Sequence, residues 1–349
     1  MRRSAFLRKT PAAIAGALTV PAAILSVPAV ILSSSKEARA DDEFDPAVSA
    51  PSAALRVLLG PGDAAANPGG GFTFNGRTYR GTFARMTDGS IVSTVSLEEY
   101  LYSVVPREMP PSWPGAALAA QAICARTYVL QRSNPRRSYD VVPSEIDQVY
   151  GGEASESPAG RNAVDATTGQ VLRYASAFAQ IMYSSCCGGR TEASSDAWGG
   201  APFAYLAGVA CPYCTASPEY RWQRAVDLGA IATAFSAELL PYGVLQSVRV
   251  GASDPSGRAR TVELAAERGS AFVKGSTFRL RIGPRVIPSL LITKMDMAAE
   301  APGRIAIEGG GLGHGVGLCQ WGARGYALAG GSAHDILNLY FPGTDVTHD

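Results

Sequence analysis

Glu108 stands in the run Pro106-Arg107-Glu108-Met109-Pro110-Pro111-Ser112-Trp113. Prolines stiffen the backbone on both sides of it, and Met109 and Trp113 offer apolar cover. Desolvation raises a carboxyl pKa. An acid that keeps its proton near neutral pH is what a general acid at an ether oxygen must be. The plain alternative is a solvated loop carboxylate. Cys186, Cys187, Cys211 and Cys214 suggest a second chemistry. A Cys-x-x-Cys pair with a further pair suits a structural tetrathiolate zinc site. Adjacent Cys186 and Cys187 are awkward as paired ligands, and disulfides between the two pairs compete in an oxidising compartment. His314, His334 and His348 are the three histidines, too few for a multi-histidine metal centre. His314 lies in Gly313-His314-Gly315-Val316-Gly317, which has neither phosphate-loop nor dinucleotide spacing. Those glycines permit turns and close approach. The imidazole reads either as a polar substrate contact or as a structural hydrogen bond.

Around these residues the hydrophobic pattern predicts an α+β fold. Short segments broken by Asn75-Gly76 and Asp88-Gly89 predict a small antiparallel β unit over 53–95. Ser96 with Glu99 forms a capping box, and Leu97, Tyr100, Leu101 and Val104 recur at helical spacing until Pro106. That places Glu108 just past a helix end. A second, Ala-rich helix is expected from Trp113-Pro114 to about Arg132, with proline in its first turn. Gln121 and Arg126 lie five apart on it, about 500° of turn, so they need not share a face. Further on come a short helix near 159–167, strands over 171–184, a helical stretch over 227–240 and alternating strands over 244–296. A Gly-rich segment and a helix over 332–340 close the chain.

Composition narrows the class. The 349 residues carry 31 Lys and Arg against 30 Asp and Glu, a net charge of +1. Such balance excludes charge-driven disorder and argues against an electrostatic grip on nucleic acid. Arg2, Arg3, Arg8 and Lys9 precede an uncharged run from Thr10 to Ser35 and the small-x-small site Ala38-Arg39-Ala40. This is the layout of a secretory signal over 1–40, followed by an acidic, Pro- and Ser-containing linker over 41–52. A secreted or extracytoplasmic protein is expected, with membrane attachment only through an uncleaved N-terminal segment.

The segment SLEEYLYSVVPREMPPSWPGAALAAQAICARTYVL, residues 96–130, resembles the hallmark stretch of the stage II sporulation protein D (SpoIID/LytB) family. Asp147-Gln148-Val149-Tyr150-Gly151-Gly152, Thr168-Gly169-Gln170-Val171-Leu172, residues 183–200 (YSSCCGGRTEASSDAWGG), residues 309–330 (GGGLGHGVGLCQWGARGYALAG) and Leu339-Tyr340-Phe341-Pro342-Gly343-Thr344 are similar to further family elements, in the family's order. The resemblance spans 53–349. It implies a catalytic core over 96–230, a β-rich lobe over 231–300 and a closing motif over 301–349.

The activity it implies is lytic transglycosylation of peptidoglycan glycan strands stripped of stem peptides, with Glu108 as the single acid and base. Arg126 would bind substrate or orient Glu108. Gln121, Gln148, Tyr150, His314, Gln320 and Trp321 are polar or flat groups suited to a sugar groove. Some family members carry zinc near the cysteines. Ser184 and Arg190 stand here where the family often has histidine, and catalysis itself requires no cofactor. Cys124 and Cys319 fall within two motif segments expected to line one groove. A disulfide between them is one reading, and two buried free thiols is the other. The LytB name also implies a rival role, a non-catalytic glycan-binding partner that enhances a cell-wall amidase.

Overall fold

The computed structural model describes residues 54–349 apart from Glu145. The expected signal over 1–40 and linker over 41–52 lie outside the described residues. The fold is α+β. It opens with β1 (Ala54–Pro61), β2 (Ala64–Ala66), β3 (Phe72–Phe74), β4 (Arg77–Tyr79), β5 (Thr82–Arg85) and β6 (Ser90–Ser96). These make two small antiparallel sheets, β1-β6-β5 and β2-β3-β4. Asn75 and Gly76 both have positive φ at the β3–β4 turn, which right-twisted hairpins favour.

Helix α1 (Leu97–Glu108) starts where Ser96 accepts a hydrogen bond from the Glu99 amide. It runs through Pro106 rather than stopping there. Proline forfeits one amide donor, yet Met109 N still donates to Val105 O at 3.0 Å, so the last turn closes. Glu108 is therefore the final helical residue and not a loop residue. Helix α2 (Gly115–Arg132) is the hub: Ala117 to Leu130 are buried with the exception of Ala119. Its small side chains let α1 and α3 (Pro158–Asp165) approach closely. Then follow β7 (Gln170–Tyr174), β8 (Ala177–Phe178), β9 (Tyr183–Ser184) and α4 (Ser194–Trp198).

A second core is built from β10 (Trp222–Asp227), α5 (Leu228–Ala234), α6 (Ser236–Leu239), β11 (Leu245–Ser253), β12 (Ala259–Ala266), β13 (Gly269–Lys274), α7 (Gly275–Ile282), β14 (Ile292–Met297) and β15 (Arg304–Gly309). Its sheets are β10-β15-β14 and β11-β12-β13. This lobe is wider than the expected 231–300, because β10 must pair along its whole length with β15 to bury Trp222 and Val226. It also contains a helix, α7, in a region expected to be strands. Phe278 on α7 is fully buried and stacks on Phe235 at 5.7 Å.

The chain returns to the first core as β16 (Leu318–Cys319), α8 (Gln320–Leu328), α9 (Ala333–Tyr340) and β17 (Asp345–His348). Strand β16 pairs in parallel with β9, and β17 pairs with β7. Helix α8 does not show in the Gly-rich pattern. Glycines cost about 1 kcal/mol each in a helix interior, but packing demands them. A Cβ at Gly322 would meet the Tyr340 hydroxyl and the Cys211 sulfur, and one at Gly325 would meet the Tyr213 carbonyl. Among the described residues, no helix is long and apolar enough to cross a membrane.

Candidate functional site

The end of α1, the loop before α3 and the β9–β16 pair converge on the Glu108 carboxyl. Glu108 is 7% exposed. Val149 N approaches its Oε1 at 3.5 Å. The Gln320 amide and the Tyr183 hydroxyl face the same carboxyl, and Arg107 is the neighbouring charge. Burial pushes the carboxyl up to about 7, outweighing these four groups, which all favour the ionised form. Glu108 thus combines a protonated fraction at neutral pH with donors ready for its anion.

Several sugar-groove candidates gather around it. Gln320 Nε2 donates to Gln121 Oε1 at 3.5 Å, linking α8 to α2. Gln148 Nε2 donates to Ala125 O at 3.2 Å, and its side chain also meets Tyr183. Gln121 Nε2, Gln148 Oε1 and the Tyr183 hydroxyl are buried without a formed hydrogen bond. Buried polar groups normally find partners. A cluster of unfulfilled amide and phenol groups around one acid is chemistry suited to a polar ligand. Tyr183 was not singled out by sequence reasoning. Its only signal was its place two residues before Ser185 in the family-like 183–200 segment.

Four expectations change. Arg126 neither binds at the site nor orients Glu108. It is 1% exposed and clasps Glu98 with Nε–Oε1 at 2.9 Å and Nη2–Oε2 at 2.6 Å, while Nη1 donates to Gln170 O at 3.0 Å. The turn angle from Gln121 sends it to another face of α2. Tyr150 is also withdrawn from the groove. Its ring packs between Tyr79 and Tyr100, with centroids at 5.4 and 4.9 Å.

His314 is bonded at both nitrogens: Val316 N donates to Nδ1 at 3.0 Å, and Nε2 lies 2.9 Å from Tyr183 O. The amide donor requires a lone pair on Nδ1, so the proton sits on Nε2 and points at the carbonyl. His314 therefore holds the backbone of Tyr183, and Trp198 packs on its ring at 5.1 Å. Trp321 is half-buried and meets Trp113 edge-on at 5.0 Å, at the rim of the site.

The fourth change concerns the cysteines. The sulfurs of Cys187, Cys211, Cys214 and Cys319 lie within 4.8 Å of one another, all buried. Cys319 takes the place expected for Cys186. The parallel β9–β16 pairing delivers Cys319 to the cluster, so it is a member of this quartet rather than a partner of Cys124, and both remain free thiols. Cys186 sits at the edge, its backbone paired in both directions with Leu312. The quartet has the donor set of a tetrathiolate zinc site, whose tetrahedral edge is about 3.8 Å at ordinary Zn–S lengths. The Cys187–Cys214 separation is 3.7 Å. Cys187 N and Gly322 N donate to the Cys319 sulfur at 3.2 and 3.3 Å, and the Tyr340 hydroxyl lies 3.0 Å from the Cys211 sulfur. Such contacts are what thiolate ligands require around them. Cys187 lies three residues after β9 and Cys319 is the last residue of β16, so the cluster fixes where Tyr183 and Gln320 emerge.

The lobe is keyed to this region by a buried arginine and its hydrogen bonds. Arg258, 2% exposed, donates to Cys187 O at 2.8 Å and to Arg190 O at 3.3 Å, and lies 3.5 Å from Glu192. Burial, followed by a hydrogen bond with Asp254, pushes Glu192 up to about 9, against the pull of Arg258. A Cβ at Gly315, where φ is +77°, would strike the Arg258 guanidinium, which explains that glycine.

Residues 86–174 match the SpoIID family, described as stage II sporulation protein, and residues 214–317 match a domain of unknown function, DUF8618. An uncharacterized protein of Brachyspira hyodysenteriae is 33% identical over 289 residues, covering 79% of this chain and 74% of that protein. Stage II sporulation protein D of Bacillus amyloliquefaciens is 28% identical, covering 75% and 77%. The amidase enhancer of Bacillus subtilis (strain 168) is 28% identical over 71% of this chain, which spans only 40% of that protein. The SpoIID match contains Glu108, Gln121 and Gln148, and the second match contains the lobe and His314.

Proposed function

The chain belongs to the SpoIID family, and from that premise we propose that it is a lytic transglycosylase. It would cleave the β-1,4 bond from N-acetylmuramic acid to N-acetylglucosamine in peptidoglycan glycan. The observation that carries this reading is a single acid, Glu108, pushed up to about 7 among amide and phenol donors. Hydrolytic glycosidases use two carboxyl groups. A lytic transglycosylase needs one. The Glu108 proton passes to the glycosidic oxygen as the C1–O bond breaks and the N-acetylglucosamine 4-hydroxyl departs. The muramyl 6-hydroxyl then bonds to C1 and returns its proton to Glu108, leaving a 1,6-anhydro end with no water consumed. Gln320 and Tyr183 support the transient carboxylate, and Gln121 and Gln148 offer amide atoms to sugar hydroxyls.

The cysteine quartet, as we read it, holds a structural zinc: Cys187, Cys211, Cys214 and Cys319 would be its ligands. The ion would supply cross-linking of the fold and no step of the reaction. The signal-like N-terminus supports an extracytoplasmic, wall-associated location as part of this reading. The test is incubation of the purified protein with peptide-stripped glycan strands. Mass spectrometry should find 1,6-anhydromuramyl ends with the wild type and none with Glu108→Gln. Strand binding without product by the wild type would instead favour a role as a glycan-binding partner of a cell-wall amidase; the Bacillus subtilis relative is named an amidase enhancer.

A further inference from the structure

We propose that Arg324, clamped on Trp113 and Trp321, recognises the free lactyl carboxylate of a muramyl residue and so reads whether the strand has lost its stem peptide. The inference rests on the transglycosylase reading. Removing a stem peptide turns a neutral lactyl amide into a carboxylate, which a suitably placed cation would distinguish from the amide. Arg126 is unavailable, being buried and spent on Glu98. Arg324 is half-buried, and its guanidinium lies over both indoles, 5.8 Å from Trp113 and 5.2 Å from Trp321. Among the described residues it has no ion pair and no hydrogen bond.

Two chain connections tie the clamp to the acid. Trp113 follows Glu108 by five residues, across the loop from α1 to α2. Arg324 lies one turn beyond Gln320 on α8, on the same face, and the Gln320 amide faces the Glu108 carboxyl. An arginine held by cation–π contact with two indoles gives up less side-chain freedom on binding, and a guanidinium meets a carboxylate at two points. The indoles beside it are the flat apolar surfaces that sugar rings pack against. Arg107, the charge next to Glu108, is exposed, and among the described residues no aromatic ring lies under its guanidinium.

The experiment compares two strands with the full protein: peptide-stripped glycan, and the same glycan with its lactyl carboxylates converted to methylamides. Amidation should lower wild-type kcat/KM roughly ten- to hundredfold, the worth of a charge-assisted two-point contact. Arg324→Gln should lose the same factor on the free strand and nothing further on the amidated one, with Arg324→Lys in between. A wild-type ratio kept by Arg324→Gln, or one abolished by Arg107→Gln instead, overturns the proposal. If the wild type makes no anhydro product from either strand, the transglycosylase reading fails. The strand dissociation constants then decide the subsite: a ratio that collapses in Arg324→Gln supports it, and an unchanged ratio overturns it.

Discussion

Burying an acid that ionises near neutrality leaves a thermodynamic mark separate from activity. The Glu108 carboxyl is raised from 4.5 to about 7 by burial. At about 1.4 kcal/mol per pH unit, the rise represents about 3 kcal/mol. The sign follows from proton linkage. The folded state binds this proton more tightly than the unfolded chain, so the favourable contribution is complete below the unfolded value. It is lost as pH rises through about 7. Glu108→Gln removes the titration and keeps the side-chain shape. Any constant cost of the amide, such as a poorer partner for Val149 N, cancels between two pH values. The stability difference between variant and wild type should therefore shift by about 2–3 kcal/mol in the variant's favour from about pH 5 to about pH 8.5. Urea unfolding at both pH values, followed by tryptophan fluorescence, measures it. Parallel pH curves for the two proteins would refute the claim that Glu108 is a buried, raised acid, whatever the activity shows.

The remaining expectations concern its neighbours. Tyr183→Phe removes a donor that favours the carboxylate, so the alkaline limb of kcat/KM should move to higher pH in a pH–rate profile. Metal analysis of the purified protein should give one zinc per chain. That zinc should be lost in Cys319→Ser and Cys214→Ser and kept in Cys186→Ser, and peptide mapping without reductant should find no Cys124–Cys319 link. Arg126→Met should cost about 3 kcal/mol of stability, because it strands Glu98 and leaves the Gln170 and Val164 carbonyls without their guanidinium donor, while KM measured on folded protein stays unchanged. Gly322→Ala should lose about 1–3 kcal/mol and part of its zinc, since the added methyl meets Tyr340 and Cys211.

Local patterns carried much of the fold. Ser96 and Glu99 mark the start of α1, Trp113-Pro114 marks α2, and Asn75-Gly76 marks a hairpin, because caps and turns depend on neighbours a few residues away. Helix α8 was hidden because its glycines are dictated by Tyr340, Cys211 and Tyr213, residues distant in the chain. Helix α7 escaped for a related reason: its buried Phe278 answers to Phe235 across the lobe. Pro106 misled about the end of α1 because one missing amide does not end a helix whose next hydrogen bond can still form.

Sequence alone determined which residues could do chemistry here: one glutamate between prolines, few histidines, six cysteines, and motifs in the order of a known family. Side-chain type and local spacing suffice for that. Only the tertiary structure decided their partners. It turned Arg126 inward to Glu98, packed Tyr150 among tyrosines, bonded His314 to the backbone of Tyr183, and exchanged Cys186 for Cys319 in the thiol quartet. Each of these depends on strand pairing or helix-face geometry across long sequence separations. The parallel β9–β16 contact alone brings Tyr183, Gln320 and Cys319 into place, and no local pattern encodes it.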